Sequence, residues 1–215
     1  MIIEDIMVRD VITLHAGATI QQAIDLVKEK KIRHIPIINE ENCLIGLLCD
    51  VDIRSATPSI FHLDEYKGDL LRPVSDIMIT DVLTAHPLDF VEEVAYVFYE
   101  RKISCMPVVR ENKLVGIVTE TDLLYTYVEL TGTNQPSSQI EVKVSNQPGT
   151  LSDIAGVIKQ HKANVTSIFV YPYKKDPLFK VVVLRIQTMN PLKIVKGLQS
   201  IGYDVLWPNF PESSL

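Results

Sequence analysis

The chain of 215 residues is 47% hydrophobic with a formal net charge of −6, enough apolar material for one large core or two small ones and no electrostatic footprint for nucleic acid. No apolar run approaches the roughly 18 residues of a membrane span, and the start, Met1-Ile2-Ile3-Glu4-Asp5, lacks a basic n-region, so a cytoplasmic protein without a membrane partner is expected. Cys43, Cys49 and Cys105 are odd in number, sit among apolar residues and lack zinc-site spacing, which predicts buried thiols.

The first segment, Asp5-Ile6-Met7 and Asp10-Val11-Ile12-Thr13, recurs 71 residues on as Asp76-Ile77-Met78 and Asp81-Val82-Leu83-Thr84. Thr19 and Gln22 then form a capping box that opens a helix with Ile20, Ala23, Ile24 and Val27 on one face. Its echo has Asp89 and Glu92 as the capping pair and Val91, Val94, Ala95 and Phe98 as the buried face. Each helix ends in basic residues, Lys28 to Lys31 and Arg101-Lys102, which suits the negative end of a helix dipole.

A proline-containing strand follows in each copy, Ile32 to Ile38 and Ile103 to Val109, and proline there demands an edge or a strand start. A turn, one residue shorter in the second copy, leads to Gly46-Leu47-Leu48-Cys49-Asp50-Val51-Asp52 and Gly116-Ile117-Val118-Thr119-Glu120-Thr121-Asp122. Each of these ends an apolar strand and opens a helix, the second over Asp122 to Val128. Thr119 and Asp122 fit two readings. They are a capping box, or a hydroxyl and free N–H groups that hold a phosphate while the Asp accepts the hydroxyls of a ribose. His15 and His86 hold equivalent places, so their recurrence follows from the duplication.

Two copies of this order resemble the CBS domain, whose copies pair as a Bateman module. The resemblance rests on Asp-Ile-Met, the hydrophobic-Pro-hydrophobic strand and the Gly-x-x-Thr-x-x-Asp turn. It implies a regulatory sensor without catalytic activity that binds an adenosine-containing ligand, AMP, ADP, ATP or S-adenosylmethionine, and needs no cofactor. Carried onto this chain, it groups Thr80, Arg101, Lys102, Ile103, Ser104, Cys105, Met106, Thr119 and Asp122 in a second cleft. A weaker first cleft takes Arg9, Lys30, Lys31, Ile32, Arg33, His34, Ile35 and Asp52, with the lysines also able to reach across the pair. Cys49 departs from the pattern, because a thiol is a poor donor and Asp50 beside it repels phosphate. That favours the cleft of Thr119 and Asp122.

Between the copies, Phe61, Leu63, Tyr66, Leu70 and Leu71 are too apolar for a free linker and predict a packed helix. Thr131 to Ser138, rich in Gly, Pro, Ser and Thr, marks a domain boundary. Beyond it, Ile140 to Val144 alternates as a strand, Leu151, Ile154, Val157 and Ile158 line a helix, and the order completes as βαββαβ, a ferredoxin-like topology. With Asn146-Gln147-Pro148-Gly149-Thr150-Leu151 before the first helix, this part resembles the ACT domain. The resemblance implies amino-acid binding or a homodimer interface at Asn146, Pro148, Gly149 and Leu151, with Asn146 in place of the usual Asp.

The expected fold is therefore α/β (α+β), a duplicated CBS pair plus a ferredoxin-like ACT domain. The segments are 1–58 and 75–130 for the CBS copies, 59–74 between them, a linker at 131–138 and the ACT domain at 139–210. This domain order resembles the bacterial acetoin-utilisation AcuB family, which implies a regulator in acetoin or related carbon metabolism acting on a partner enzyme. A constitutive dimeric scaffold with vestigial clefts, and an amino-acid sensor working through the ACT domain, are the alternatives. The sequence contains no Ser-His-Asp or Cys-His context, P-loop, GxGxxG or metal cluster, so an enzyme is not expected.

Overall fold

The computed structural model describes residues 1–56 and 68–209. They divide into two units, Met1–Leu124 and Tyr125–Leu215. The first contains α1 (Ile3–Ile6), β1 (Leu14–His15), α2 (Ile20–Lys30), β2 (His34–Ile38), β3 (Leu44–Cys49) and α3 (Asp50–Ala56). It continues with α4 (Val91–Arg101), β4 (Cys105–Arg110), β5 (Lys113–Thr119) and the start of α5 (Glu120–Thr131). The second adds β6 (Ser138–Ser145), α6 (Thr150–Gln160), β7 (Val165–Pro172), β8 (Phe179–Ile186), α7 (Leu192–Ser200) and β9 (Asp204–Trp207).

The first unit is built by exchange between the repeats. Ile3 and Met7, which begin the first copy, are buried in the core of the second with Ala85, Val91, Val94, Phe98, Met106, Val108 and Val118. Val74, Ile77 and Met78, which begin the second, pack into the core of the first around Ala23, Ile35, Ile37, Leu48 and Ile53. Backbone bonds fix the exchange: Ile3 and Glu4 donate to Asp89 and Pro87, while Val74 donates to Ala18. Val8 bridges Ile117, and Ile79 bridges Leu47.

This explains the Asp-Ile-Met motif. A Cβ added to Gly116 would lie 2.6 Å from Met7 Sδ, and one added to Gly46 would lie 2.5 Å from Met78 Sδ. Each methionine therefore closes over the glycine of the other copy, where only a residue without a side chain leaves room.

Within the copies, β2 runs antiparallel to β3 and pairs with β1 only at Ile37 and Ile38, beyond Pro36. In the second copy β4 pairs with β5, and Ala85 bridges Val108, beyond Pro107. The prolines thus stand where that pairing begins: the Pro107 carbonyl accepts the Ala85 N–H, and the first residue of a pairing tolerates a missing donor.

Thr19 caps α2 reciprocally with Gln22, as expected. The equivalent pairing in α4 is not formed. The helix opens one residue later than the Asp89–Glu92 pairing requires, with Phe90 at the N-cap, and Asp89 instead accepts the His86 N–H at 2.7 Å. The expected inter-repeat helix falls partly on Phe61, Leu63 and Tyr66, which lie outside the described residues. Of the rest, Leu71 is 71% exposed in a 3₁₀ turn, so it packs no helix face.

In the second unit the strand order is β7-β8-β6-β9, with all pairs antiparallel. Alternate residues Ile140, Val142 and Val144 of β6, with Val182, Leu184 and Ile186 of β8, pack on Ile154, Val157 and Ile158 of α6 and on Ile194, Val195 and Leu198 of α7. This is the predicted ferredoxin-like arrangement, made because a period of 2 meets a period of 3.6 on one apolar face. Helix α5 extends to Thr131, and Thr131 and Gly132 are buried, so the Gly/Ser-rich boundary segment begins as packed chain.

Candidate ligand clefts

Asp122 holds the β5–α5 turn. Its Oδ2 accepts the Thr119 N–H at 2.8 Å and the Thr119 hydroxyl at 2.6 Å, and the Asp122 N–H donates back to Thr119 Oγ1 at 3.3 Å. The capping box expected from sequence is thus formed. At the equivalent β3–α3 turn Asp52 accepts the Cys49 N–H at 2.9 Å, and a thiol stands in place of the hydroxyl.

Because the repeats exchange their leading segments, each cleft takes its walls from both copies. A cavity of about 360 Å³ is lined by Ile117, Thr119, Thr121 and Asp122 of the second copy together with Val8, Asp10, Val11, Ile12, Lys31, Ile32, Arg33 and His34 of the first. This extends the sequence grouping. Ile32, Arg33 and His34, grouped with the first cleft, line this cavity as Lys31 does, while the backbone also holds them to their own turn, where the Asp50 N–H donates to Arg33 O and His34 pairs with Cys49. Ile103, Ser104 and Cys105, assigned beside Thr119, are the repeat equivalents of Ile32, Arg33 and His34. Cys105 meets Cys49 in a cluster with Leu47, Ile117, Val11 and Val82.

Other expected members stand apart from the cavity. Ile35 is fully buried in the first copy's core and Met106 is 4% exposed in the second's, since alternate strand residues point inward. Arg9 turns back onto Glu4, donating to its carbonyl at 3.2 Å and its carboxylate at 3.4 Å. Lys30 pairs with Glu29 at 2.7 Å. Lys102 takes a left-handed conformation, φ 55°, and lays its ammonium over the Tyr99 ring at 4.2 Å. Thr80 and Arg101 are exposed. Val8, Asp10, Val11, Ile12 and Thr121 were not singled out as site residues from sequence; the exchange of leading segments, with Val8 bridging Ile117, brings the first four there.

His34 Nε2 lies 2.8 Å from Ser104 Oγ, a hydrogen bond from the start of β2 to the residue before β4 in the other copy. Burial lowers the His34 pKa, the Arg33 guanidinium lowers it further, and Asp50, Glu120 and Asp52 oppose the shift. The imidazole is therefore held neutral to a lower pH than usual. The two thiols shift in opposite directions: the neighbouring Cys105 lowers the pKa of Cys49, while Cys49 and burial raise that of Cys105.

In the second unit Asn146, Pro148, Gly149 and Leu151 lie on an exposed turn. The Asn146 N–H donates to Leu178 O at 3.0 Å, and Gly149 takes φ 96° to open α6, a conformation that favours glycine. Leu151 also borders an apolar cavity of about 410 Å³ with Ile154, Ile158, Val165 and Ile168. Among the described residues, no group of three or more His, Cys, Asp and Glu could hold a metal, and no helix is long and apolar enough to cross a membrane.

Comparison with known families matches the CBS domain over residues 3–59 and 74–129, more than half of the chain. The chain belongs to the CBS domain family. Residues 140–202 match the ACT domain of the acetohydroxyacid synthase small-subunit type, so a tandem CBS pair is followed by an ACT domain. The chain resembles a solved acetoin utilization protein (AcuB) of Vibrio cholerae, 29% identical, with a TM-score of 0.55 over 64% of this chain and 98% of that one. It also resembles the CBS pair of protein MJ0100, solved with 5′-methylthioadenosine and S-adenosylmethionine. That pair is 28% identical, with a TM-score of 0.52 over 63% of this chain and 98% of that one. A homoserine O-acetyltransferase of Methanococcus vannielii is 32% identical over 126 residues, 58% of this chain. The match spans about a quarter of that relative's length, 24%.

Proposed function

We propose that this protein is a non-catalytic sensor that binds an adenosine-containing ligand in the cleft of Thr119 and Asp122. One observation carries the reading: the exchange of segments brings Lys31, Arg33 and His34 of the first copy against the Thr119–Asp122 turn of the second. The Asp122 carboxylate, the Thr119 hydroxyl and two permanent cations then converge on one cavity with apolar walls from Val8, Ile12, Ile32 and Ile117. Asp122 accepts the ribose hydroxyls, and Lys31 and Arg33 meet the anionic tail, the phosphates of AMP, ADP or ATP or the carboxylate of S-adenosylmethionine. The ligand set of the MJ0100 pair supports an adenosine moiety.

Binding regulates by favouring one packing of the two repeats over another, which requires unequal affinity for the two. The second unit supplies a homodimer contact. Its edge strand β7 is paired on one side only and exposes Val165, Ile168, Phe169, Val170 and Tyr171, a surface of the kind that proteins cover with another copy. The turn at Asn146, Pro148, Gly149 and Leu151 is the place for an amino-acid ligand or a second contact. By its likeness to the Vibrio cholerae protein, the target is a cytoplasmic partner enzyme in acetoin or related carbon metabolism.

Thermal unfolding with AMP, ADP, ATP and S-adenosylmethionine tests the reading. A ligand at 100 times its Kd adds about 2.7 kcal/mol to the stability of the form that binds it, a rise of several degrees in a chain of this size. The same midpoint with all four at millimolar concentration contradicts the proposal and leaves the scaffold reading.

A further inference from the structure

We infer that Cys49 and Cys105 are a dithiol modification site, forming a reversible disulfide that joins the two repeats beside the Cys49–Asp52 turn. The residues come from different copies, Cys49 at the end of β3 and Cys105 at the start of β4. The exchange of segments nevertheless brings them into one cluster, walled by Leu47, Ile117, Val11 and Val82. Cys105 is buried within that cluster and Cys49 is packed against its edge, so the two side chains meet where the repeats face one another.

The duplication shows what the pair has displaced. The equivalents of Cys49 and Cys105 in the other cleft are Thr119 and His34, polar groups of the candidate ligand site. The Cys49–Asp52 side has two sulfurs where the Thr119–Asp122 side has a hydroxyl and an imidazole. Neither thiol is a good hydrogen-bond group for a nucleotide, yet together they can make and break a bond.

Accessibility sets the order of events. Cys49 is half-buried and Cys105 is 5% exposed, so Cys49 meets an oxidant first. A Cys49 thiolate attacks one oxygen of a hydroperoxide, the O–O bond breaks, and the alkoxide or hydroxide leaves and takes up a proton. The resulting sulfenic acid is attacked by the Cys105 sulfur. The S–S bond forms as the S–O bond breaks, and the hydroxide leaves as water with the Cys105 proton. Two thiols and one hydroperoxide become a disulfide, an alcohol or water, and a second water. A small dithiol reverses it through a mixed disulfide. Cys43 stands at the other end of β3, six residues from Cys49 and roughly 20 Å away along an extended strand, too far to compete.

The inference does not depend on any ligand, and peptide mapping of the full chain after brief hydrogen peroxide treatment tests it. The expected result is an intact mass lower by about 2 Da, a Cys49 peptide linked to a Cys105 peptide, and reversal by dithiothreitol. Cys43→Ser links as the wild type does, and Cys105→Ser leaves a Cys49 sulfenic acid that dimedone traps. Oxidation of Cys49 to sulfinic acid without a link, a link through Cys43 or between chains, or two unreacted thiols overturns it. The wild-type map decides even where a variant fails to fold.

Discussion

The duplication provides a matched pair of substitutions, Asp122→Ala and Asp52→Ala, that separates helix capping from ligand binding. Asp52 accepts one N–H, from Cys49 at 2.9 Å, and its loss costs about 1 kcal/mol, the usual value of a cap. Asp122 accepts the Thr119 N–H at 2.8 Å and the Thr119 hydroxyl at 2.6 Å. Its removal leaves both donors to find water and costs about 1–2 kcal/mol. At about 2–4 °C per kcal/mol, the midpoints fall by about 2–4 °C for Asp52→Ala and 2–8 °C for Asp122→Ala. Affinity for the adenosine ligand separates them far more. Losing hydrogen bonds from ribose to a carboxylate, about 1.5–3 kcal/mol, weakens Kd by about 10- to 150-fold in Asp122→Ala. Asp52→Ala leaves Kd within about twofold. Calorimetric unfolding and isothermal titration of both variants supply the numbers. Equal weakening by the two variants, or an unchanged Kd in Asp122→Ala despite a lower midpoint, would refute the assignment of Asp122 to the ligand.

Three further outcomes are expected. His34 is held below its usual 6.5 by burial and then by Arg33, with Asp50, Glu120 and Asp52 opposing. Below pH 6.5 the unfolded chain therefore binds a proton that the folded chain refuses, so the His34 contribution is fully present above pH 6.5 and is lost as pH falls through the folded value. Denaturant titrations from pH 7.5 to 5 should show a slope that His34→Gln reduces; an unchanged slope contradicts the burial argument. Gly116→Ala puts a Cβ 2.6 Å from Met7 Sδ and 3.1 Å from Val8 O, and the carbonyl, fixed in its bridge, cannot yield, so a loss of about 1–3 kcal/mol is expected. Gly156→Ala in α6 meets nothing within 4 Å and should gain about 0.5–1 kcal/mol, so a reversed order in thermal melts contradicts this reading. Phe169→Lys on β7 should convert a dimer to a monomer in light scattering; a monomeric wild type, or a dimeric variant, places the contact elsewhere.

The repeat was legible because both copies carry the same local signals: Asp-Ile-Met, the strand prolines, and a turn from glycine to aspartate, Gly46 to Asp52 and Gly116 to Asp122. The βαββαβ order was legible because Ile140, Val142 and Val144 alternate while Ile154, Val157 and Ile158 follow a helical period. The exchange of leading segments was not. Val8 pairing with Ile117 joins residues more than a hundred positions apart, and no periodicity encodes such a partner. That Arg33 and His34 also face the Thr119–Asp122 turn of the other copy was hidden by that gap, as was the place of Val8, Asp10 and Ile12. The α4 cap failed for a local reason, because the Asp89 carboxylate accepts the His86 N–H and Phe90 takes the N-cap.

The central claim is that one cleft of the pair, and not its repeat equivalent, holds the adenosine ligand. Titration calorimetry of the reduced wild-type chain with S-adenosylmethionine and with AMP reads this as a stoichiometry. One ligand per chain, lost in Arg33→Ala, is the predicted result; two per chain, or one that survives Arg33→Ala undiminished, contradicts it.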